Sequence, residues 1–268
     1  MKRRDVLRVG AGAALVGIAS PFIGRLPAWA ADLELIKQGE LSAATEGTYP
    51  PFSIRAADGS LDGLEMRMMT EICKRLGLTY KPVIIKWESL LIGLLAGEYD
   101  MSSNAMAITP ERQLKVTFCD AWIESGARLV VKKDSPIKSN ADAKGKRVGV
   151  IVASTYVKLA EALGSEVKTY KSDPDAVQDL INGNIDAVIT DSIAAAYMIT
   201  KNSLPLRMTD EYLNKAQDGW PLKKGKPNLV TAINKTMAAI VADGTYEKLT
   251  LPLIGFNAFP KDPIRSQL

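Results

Sequence analysis

Arg112 follows Thr109-Pro110-Glu111, a helix opening with Thr as N-cap, Pro at the first helical position and an acid in the first turn. A guanidinium there can grip a carboxylate through two parallel N–H bonds. Ser154 and Thr155 precede a second helical pattern and offer hydroxyls and unpaired backbone N–H groups, the positive end of a helix dipole. Asp191 stands before a third helix and supplies an anion suited to an ammonium; Glu46 supplies another. Tyr49, Phe52 and Trp87 can wall such a site with rings. Each has a plainer role open to it. Arg112 can be a solvated partner of Glu111, Ser154, Thr155 and Asp191 can be helix caps, and Trp87 can be core.

Other chemistries are excluded by what is missing. The 268 residues contain no His and two Cys. Ser-His-Asp and Cys-His catalysis, His-based metal sites and a structural zinc site are ruled out. Val148-Gly149-Val150 lacks the further glycines of a dinucleotide fingerprint, and no P-loop is present. No cofactor and no metal are expected.

The elements that must hold these residues are readable from periodicity. Leu41–Thr45 reads as a strand, and the loop 46–52 that follows is broken by Gly47, Pro50 and Pro51. Leu64, Met68, Ile72 and Leu76 recur every four residues, so 64–76 is an amphipathic helix stopped by Gly77. Strands follow at 83–85 and from 99, with a helix between them ending before Gly97. Strands at 116–118 and 129–131 flank a crossing segment, 119–127. The second half repeats this order: a buried strand 146–152, a helix 156–163, a helix from Asp173-Pro174 to Gly183, a strand 186–190 and a helix through Met198. A helical segment over 228–249 closes the chain. Strand–helix–strand units with capped helices imply parallel α/β sheets, whose ligands sit beyond the carboxyl ends of strands. Four such loops are visible: 46–52, 102–112, 152–156 and 190–192. Cys73 and Cys119 fall in apolar patterns and read as two buried thiols, with a disulfide open to them in an oxidising compartment.

Residues 1–30 have a different purpose. Lys2, Arg3, Arg4 and Arg8 precede a charge-free run from Val9 to Gly24, and Ala28-Trp29-Ala30 has the small-x-small pattern of a cleavage site. Arg3-Arg4-Asp5-Val6-Leu7 is similar to a twin-arginine export signal. A cleaved signal and a periplasmic location are expected; the alternative, a retained membrane anchor, is disfavoured because the run is rich in Gly and Ala, too short to span and broken by Pro21. This segment takes five of the 34 basic residues and one of the 30 acidic ones, leaving 29 of each. The rest of the chain is neutral, so nucleic-acid binding loses its electrostatic support.

The combination resembles the periplasmic polar-amino-acid-binding proteins of ABC importers, solute-binding protein family 3. The matching words are Ala44-Thr-Glu-Gly-Thr-Tyr-Pro-Pro-Phe52, Gly63-Leu-Glu65, Leu94-Leu-Ala-Gly-Glu-Tyr-Asp100 and Ala107-Ile-Thr-Pro-Glu-Arg-Gln113. Phe118-Cys-Asp120, Gly145-Lys-Arg-Val-Gly-Val150, Gly183-Asn-Ile-Asp-Ala187 and Ala242-Asp-Gly-Thr-Tyr-Glu-Lys-Leu249 complete them. The resemblance implies a two-lobed periplasmic binding protein type 2 fold. Lobe 1 would span 31–122 and 218–268, lobe 2 would span 123–217, each a mostly parallel sheet flanked by helices, joined by two crossover strands. It also implies residue roles. Arg112 would clamp the ligand's α-carboxylate, with Thr155 beside Ser154 completing the clamp. Asp191 would hold the α-ammonium, and Ala105 and Ala107 would offer backbone groups. Glu46 would read the ligand's side chain between Tyr49 and Trp87. Many relatives carry Ser or Thr where Ala107 stands, a loss that Asn104 would make good. Relatives mostly carry Asp where Glu46 stands, and Asp218-Gly-Trp-Pro221 departs from the usual stretch. Glu46 favours a cationic or hydrogen-bond-donating side chain: Lys, Arg, ornithine, Gln or an opine-like conjugate. The implied partners are an ABC permease and, through it, an ATPase, with the chain a monomer. Some relatives on this fold are enzymes, arogenate and prephenate dehydratases among them, and that is the alternative to a transport role.

Overall fold

The computed structural model describes residues 33–268; the export-signal reading of 1–30 lies outside them. The chain enters through β1 (Glu40–Thr45), turns through a small antiparallel sheet of β2 (Thr48–Tyr49), β3 (Ser53–Arg55) and β4 (Leu61–Asp62), and enters α1 (Leu64–Leu76). Gly63 makes this corner possible. At φ +119° a Cβ would collide with the Phe52 carbonyl, which accepts instead from Glu65 N at 3.0 Å. The loop carrying Glu46 and Tyr49 is thereby pinned to the start of α1. β5 (Thr79–Ile84), α2 (Leu90–Ala96), β6 (Met101–Ser102), β7 (Met106–Ala107), α3 (Pro110–Gln113) and β8 (Val116–Phe118) follow.

The chain continues through β9 (Ile123–Lys132), β10 (Arg147–Ile151), α4 (Tyr156–Ala162), β11 (Glu166–Tyr170), α5 (Asp173–Asn182), β12 (Ala187–Asp191) and α6 (Ser192–Lys201). It returns along β13 (Leu206–Gly219) to β14 (Pro221–Lys223), α7 (Pro227–Ala242) and α8 (Thr245–Ile254). One sheet has the order β5-β1-β6-β14-β8 and the other β11-β10-β12-β9-β13-β7. The βα halves are parallel, as the helix-separated strands require. The strands that carry the chain between lobes pair antiparallel, so each sheet is mixed.

Two expectations are corrected, and one strand has no counterpart in the sequence reading. The stretch read as crossing segment 119–127 followed by a short strand is largely one ten-residue strand, β9. The fourteen-residue β13 has mixed exposure and bulges near Tyr212, and so has no clean alternation to read. The terminal helix is two helices, because Gly244 at φ +76° turns the chain between α7 and α8.

The crossings lie side by side. Cys119 N donates to Trp220 O and Trp122 N to Asp218 O, both at 3.0 Å. Trp122 and Trp220, both fully buried, stack with centroids 4.9 Å apart. The segment after α8 runs along them: Ala121 N donates to Ile264 O and Glu124 N to Ala258 O, while Asp120 pairs with Arg265 at 2.8 Å. Cys73 and Cys119 are both free and buried.

Candidate functional site

A cavity of about 670 Å³ of interatomic space, part of it open to solvent, lies between the two sheets. Its walls are the residues beyond the carboxyl ends of β1, β10, β11 and β12, with groups from β7, α3 and β13. Nine of the ten residues singled out from the sequence line it: Glu46, Tyr49, Trp87, Ala105, Ala107, Arg112, Ser154, Thr155 and Asp191.

Each is held by local structure. The Thr109 hydroxyl accepts from Arg112 N at 3.2 Å and so caps α3, the role its sequence predicts. Arg112 Nη1 donates to Ala107 O at 3.0 Å, and its guanidinium lies 5.7 Å from the Trp87 ring centroid. Burial draws the Arg112 pKa below its ordinary value, opposed chiefly by the carboxylate of Asp218. Asp191 caps α6: its Oδ1 accepts from Ile193 N at 2.7 Å and from Ala194 N at 3.3 Å. Ser154 Oγ accepts from Tyr156 N at 3.2 Å and donates to Ile151 O at 2.6 Å. Ser154 therefore serves the turn, and Thr155, at the N-cap position of α4, makes no capping bond with its side chain. Tyr49 stacks on Phe52 at 4.8 Å.

Asn104 is the exception. It is fully buried and does not line the cavity. Its Nδ2 donates to Glu46 Oε1 at 3.3 Å, so it supports the acid and does not replace the hydroxyl missing at Ala107. The pairing of Ala44 with Ser102, continued by Ser103 N on Ala44 O, brings residue 104 within reach of Glu46.

The sequence reading missed Asp173, Asp218, Tyr156, Asn214, Ala216 and the floor at Gly126–Ala127. Asp173 had a signal: it follows β11, whose carboxyl end is a fifth loop of the kind already counted, but that strand was not recognised. Asp218, Asn214 and Ala216 lie on β13, which has no readable periodicity.

The lining is strongly acidic. Four carboxyls, Glu46, Asp173, Asp191 and Asp218, face one guanidinium. Burial is the main cause that raises all four: Glu46 to about 8, Asp173 to about 7, Asp191 to about 6 and Asp218 to about 8. Neighbouring acids raise three of them further, Asp173 acting on Glu46 and Asp191 on both Asp173 and Asp218. Among the described residues no cluster of His, Cys, Asp and Glu has the arrangement of a metal site.

The sequence profile of the bacterial extracellular solute-binding proteins, family 3, matches residues 41–252. This chain belongs to that family. It is similar to the L-cystine-binding protein TcyJ of Escherichia coli, 35% identical over 218 residues, 80% of this chain and 82% of that one. Among solved structures it is similar to an ancestral arginine-binding protein bound to glutamine, with a TM-score of 0.78 and 32% identity over 82% of this chain and all of that one. An ancestral amino-acid-binding protein described as a precursor of cyclohexadienyl dehydratase gives a TM-score of 0.74 and 29% identity, over 81% of this chain and 95% of that one. The two-lobed architecture and the family are those that the sequence words implied.

Proposed function

We propose that this family member is the periplasmic solute-binding subunit of an ABC importer, capturing an amino acid between closing lobes and presenting it to a membrane permease and its ATPase. The observation that carries the reading is the placing of opposite charges on opposite walls of one cavity. Arg112 comes from the lobe centred on the β1 sheet, and Asp191 from the lobe centred on the β12 sheet. In this reading Arg112 grips the α-carboxylate, with Thr155 closing on it, and Asp191 takes the α-ammonium with the oxygen its cap leaves over. Ala105 and Ala107 offer backbone groups, and Glu46, Tyr49 and Trp87 surround the side chain. Burying a zwitterion is costly unless both charges are paired, and closure strengthens each pair by excluding water. We assign lobe 1 to 31–122 and 218–268 and lobe 2 to 123–217, and read the molecule as a monomer exported by a cleaved signal over 1–30.

We read the chain as a binder and not as an enzyme. It keeps both a cation for the carboxylate and an anion for the ammonium, and the relatives are named as binding proteins. The test is titration calorimetry with L-arginine, L-cystine and L-glutamine. Arg112→Ala removes one side of a buried pair, a loss of about 3–5 kcal/mol, or roughly two to three and a half powers of ten in affinity. Unchanged binding by that variant would overturn the clamp.

A further inference from the structure

The cavity holds more negative charge than one amino-acid head can use. With Arg112 and Asp191 assigned to the head, Asp218 remains beside Arg112, whose charge partly offsets it. Glu46 and Asp173 have no such cation. Glu46 reaches in from the first lobe, one residue past the end of β1; Asp173 reaches in from the second, as the first residue of α5. Helix α5 packs against β2, and the two acids line one cavity near enough for Asp173 to raise Glu46 electrostatically.

Neither is fully satisfied, although the Thr190 hydroxyl favours the charged form of Asp173 through side-chain hydrogen bonding. Asp173 is 4% exposed, and its Oδ1 is buried without a hydrogen bond. Glu46 receives two long bonds, 3.3 Å each, from Thr48 Oγ1 and Asn104 Nδ2. The groups that interact electrostatically with the pair are Asp191, Glu88, Tyr49, Glu65 and Tyr156; none is basic. Two carboxylates brought together by closure repel unless a proton or a cation lies between them.

We propose that Glu46 and Asp173 form a cation subsite split across the cleft, which takes a second cationic group of the bound amino acid and favours closure when that group is present. The inference rests on the amino-acid-binding reading above and adds Asp173 as a specificity-determining residue. The group is an ammonium or guanidinium. A basic side chain would supply it as in lysine or arginine, and a second amino-acid head would supply it as in cystine. A neutral amino acid with one ammonium would leave the two acids facing each other.

The experiment is calorimetry on the full chain and on Glu46→Gln, Asp173→Asn and the double variant, with L-lysine, L-cystine and L-glutamine as probes. L-Lysine or L-cystine should bind at least about ten-fold more tightly than L-glutamine, and whichever is tighter identifies the source of the cation. Each single substitution should weaken that ligand about ten-fold and weaken L-glutamine clearly less, because a neutral side chain gains no charge pair from either acid. The double variant should lose less than the product of the two single losses, because both acids contact one charge. L-Glutamine bound as tightly as both cationic probes, or an Asp173→Asn variant that binds both as before, overturns the subsite and leaves the amino-acid reading standing. If no probe binds the unaltered chain, the amino-acid reading falls and takes the subsite with it. Circular dichroism and a thermal melt report that each variant is folded, and Glu46→Gln gives an independent answer should Asp173→Asn fail to fold.

Discussion

Binding of a cation-bearing amino acid should release protons, and the amount follows from the pocket. At pH 7 a carboxyl titrating near 8 is about nine-tenths protonated, one near 7 about half and one near 6 about a tenth. Glu46 and Asp218 belong to the first class, Asp173 to the second and Asp191 to the third. A ligand that sets one ammonium on Asp191 and another cation between Glu46 and Asp173 drives those three to their charged forms. About 1.5 protons leave, shared by the coupled pair and not owned by either acid. By linkage the affinity then rises roughly ten- to thirty-fold per pH unit around neutrality. A neutral amino acid pairs only Asp191 and releases about 0.1 proton. Titration at one pH in phosphate and in Tris, whose ionisation heats differ, counts the protons from the difference in apparent enthalpy. Equal enthalpies in the two buffers with L-lysine or L-cystine, or affinity flat from pH 6 to 8, would refute this reasoning. The same shifts act on the closed form without ligand. Folded values lie above unfolded ones near 4, so the folded state binds more protons between about pH 4 and 8. The ligand-free Tm should fall as pH rises through that window.

Two further outcomes concern the scaffold. Asp100 is wholly buried and accepts from Ile36 N, Ser42 N, Ser42 Oγ and Lys226 Nζ. Asp100→Asn would set an amide against those donors, costing about 3–5 kcal/mol and lowering the Tm by about 10 °C; a thermal melt within two degrees of the unaltered chain would contradict it. Truncation after Gly255 would remove the acceptors of Ala121 N and Glu124 N. Hydrogen exchange should accelerate at those two amides while β10 stays protected, and unchanged protection at both would show that the tail does not brace the crossings.

The chemistry of the clamp was written locally. Thr109-Pro110-Glu111-Arg112 specifies its own helix start, and that start aims Arg112; Asp191 is announced by the buried strand before it and the apolar helix after it. Periodicity of 3.6 and runs of apolar residues suffice for such features because their hydrogen bonds close within a few residues. The same holds for α1 and α5, whose Gly77 and Gly183 caps are visible as stops. What could not be read is what long-range pairing creates. β13 draws its partners from β9 and β7, 74 to 113 positions away, and its exposure follows the bent path between lobes and not a period of two. Asp218, Asn214 and Ala216 reach the cavity only through that strand. The meeting of Glu46 with Asp173, 127 positions apart in the chain, depends on both lobes and the cleft between them. A carboxyl's pKa is set by burial and neighbouring charge, and those exist only once the two sheets have closed on one space.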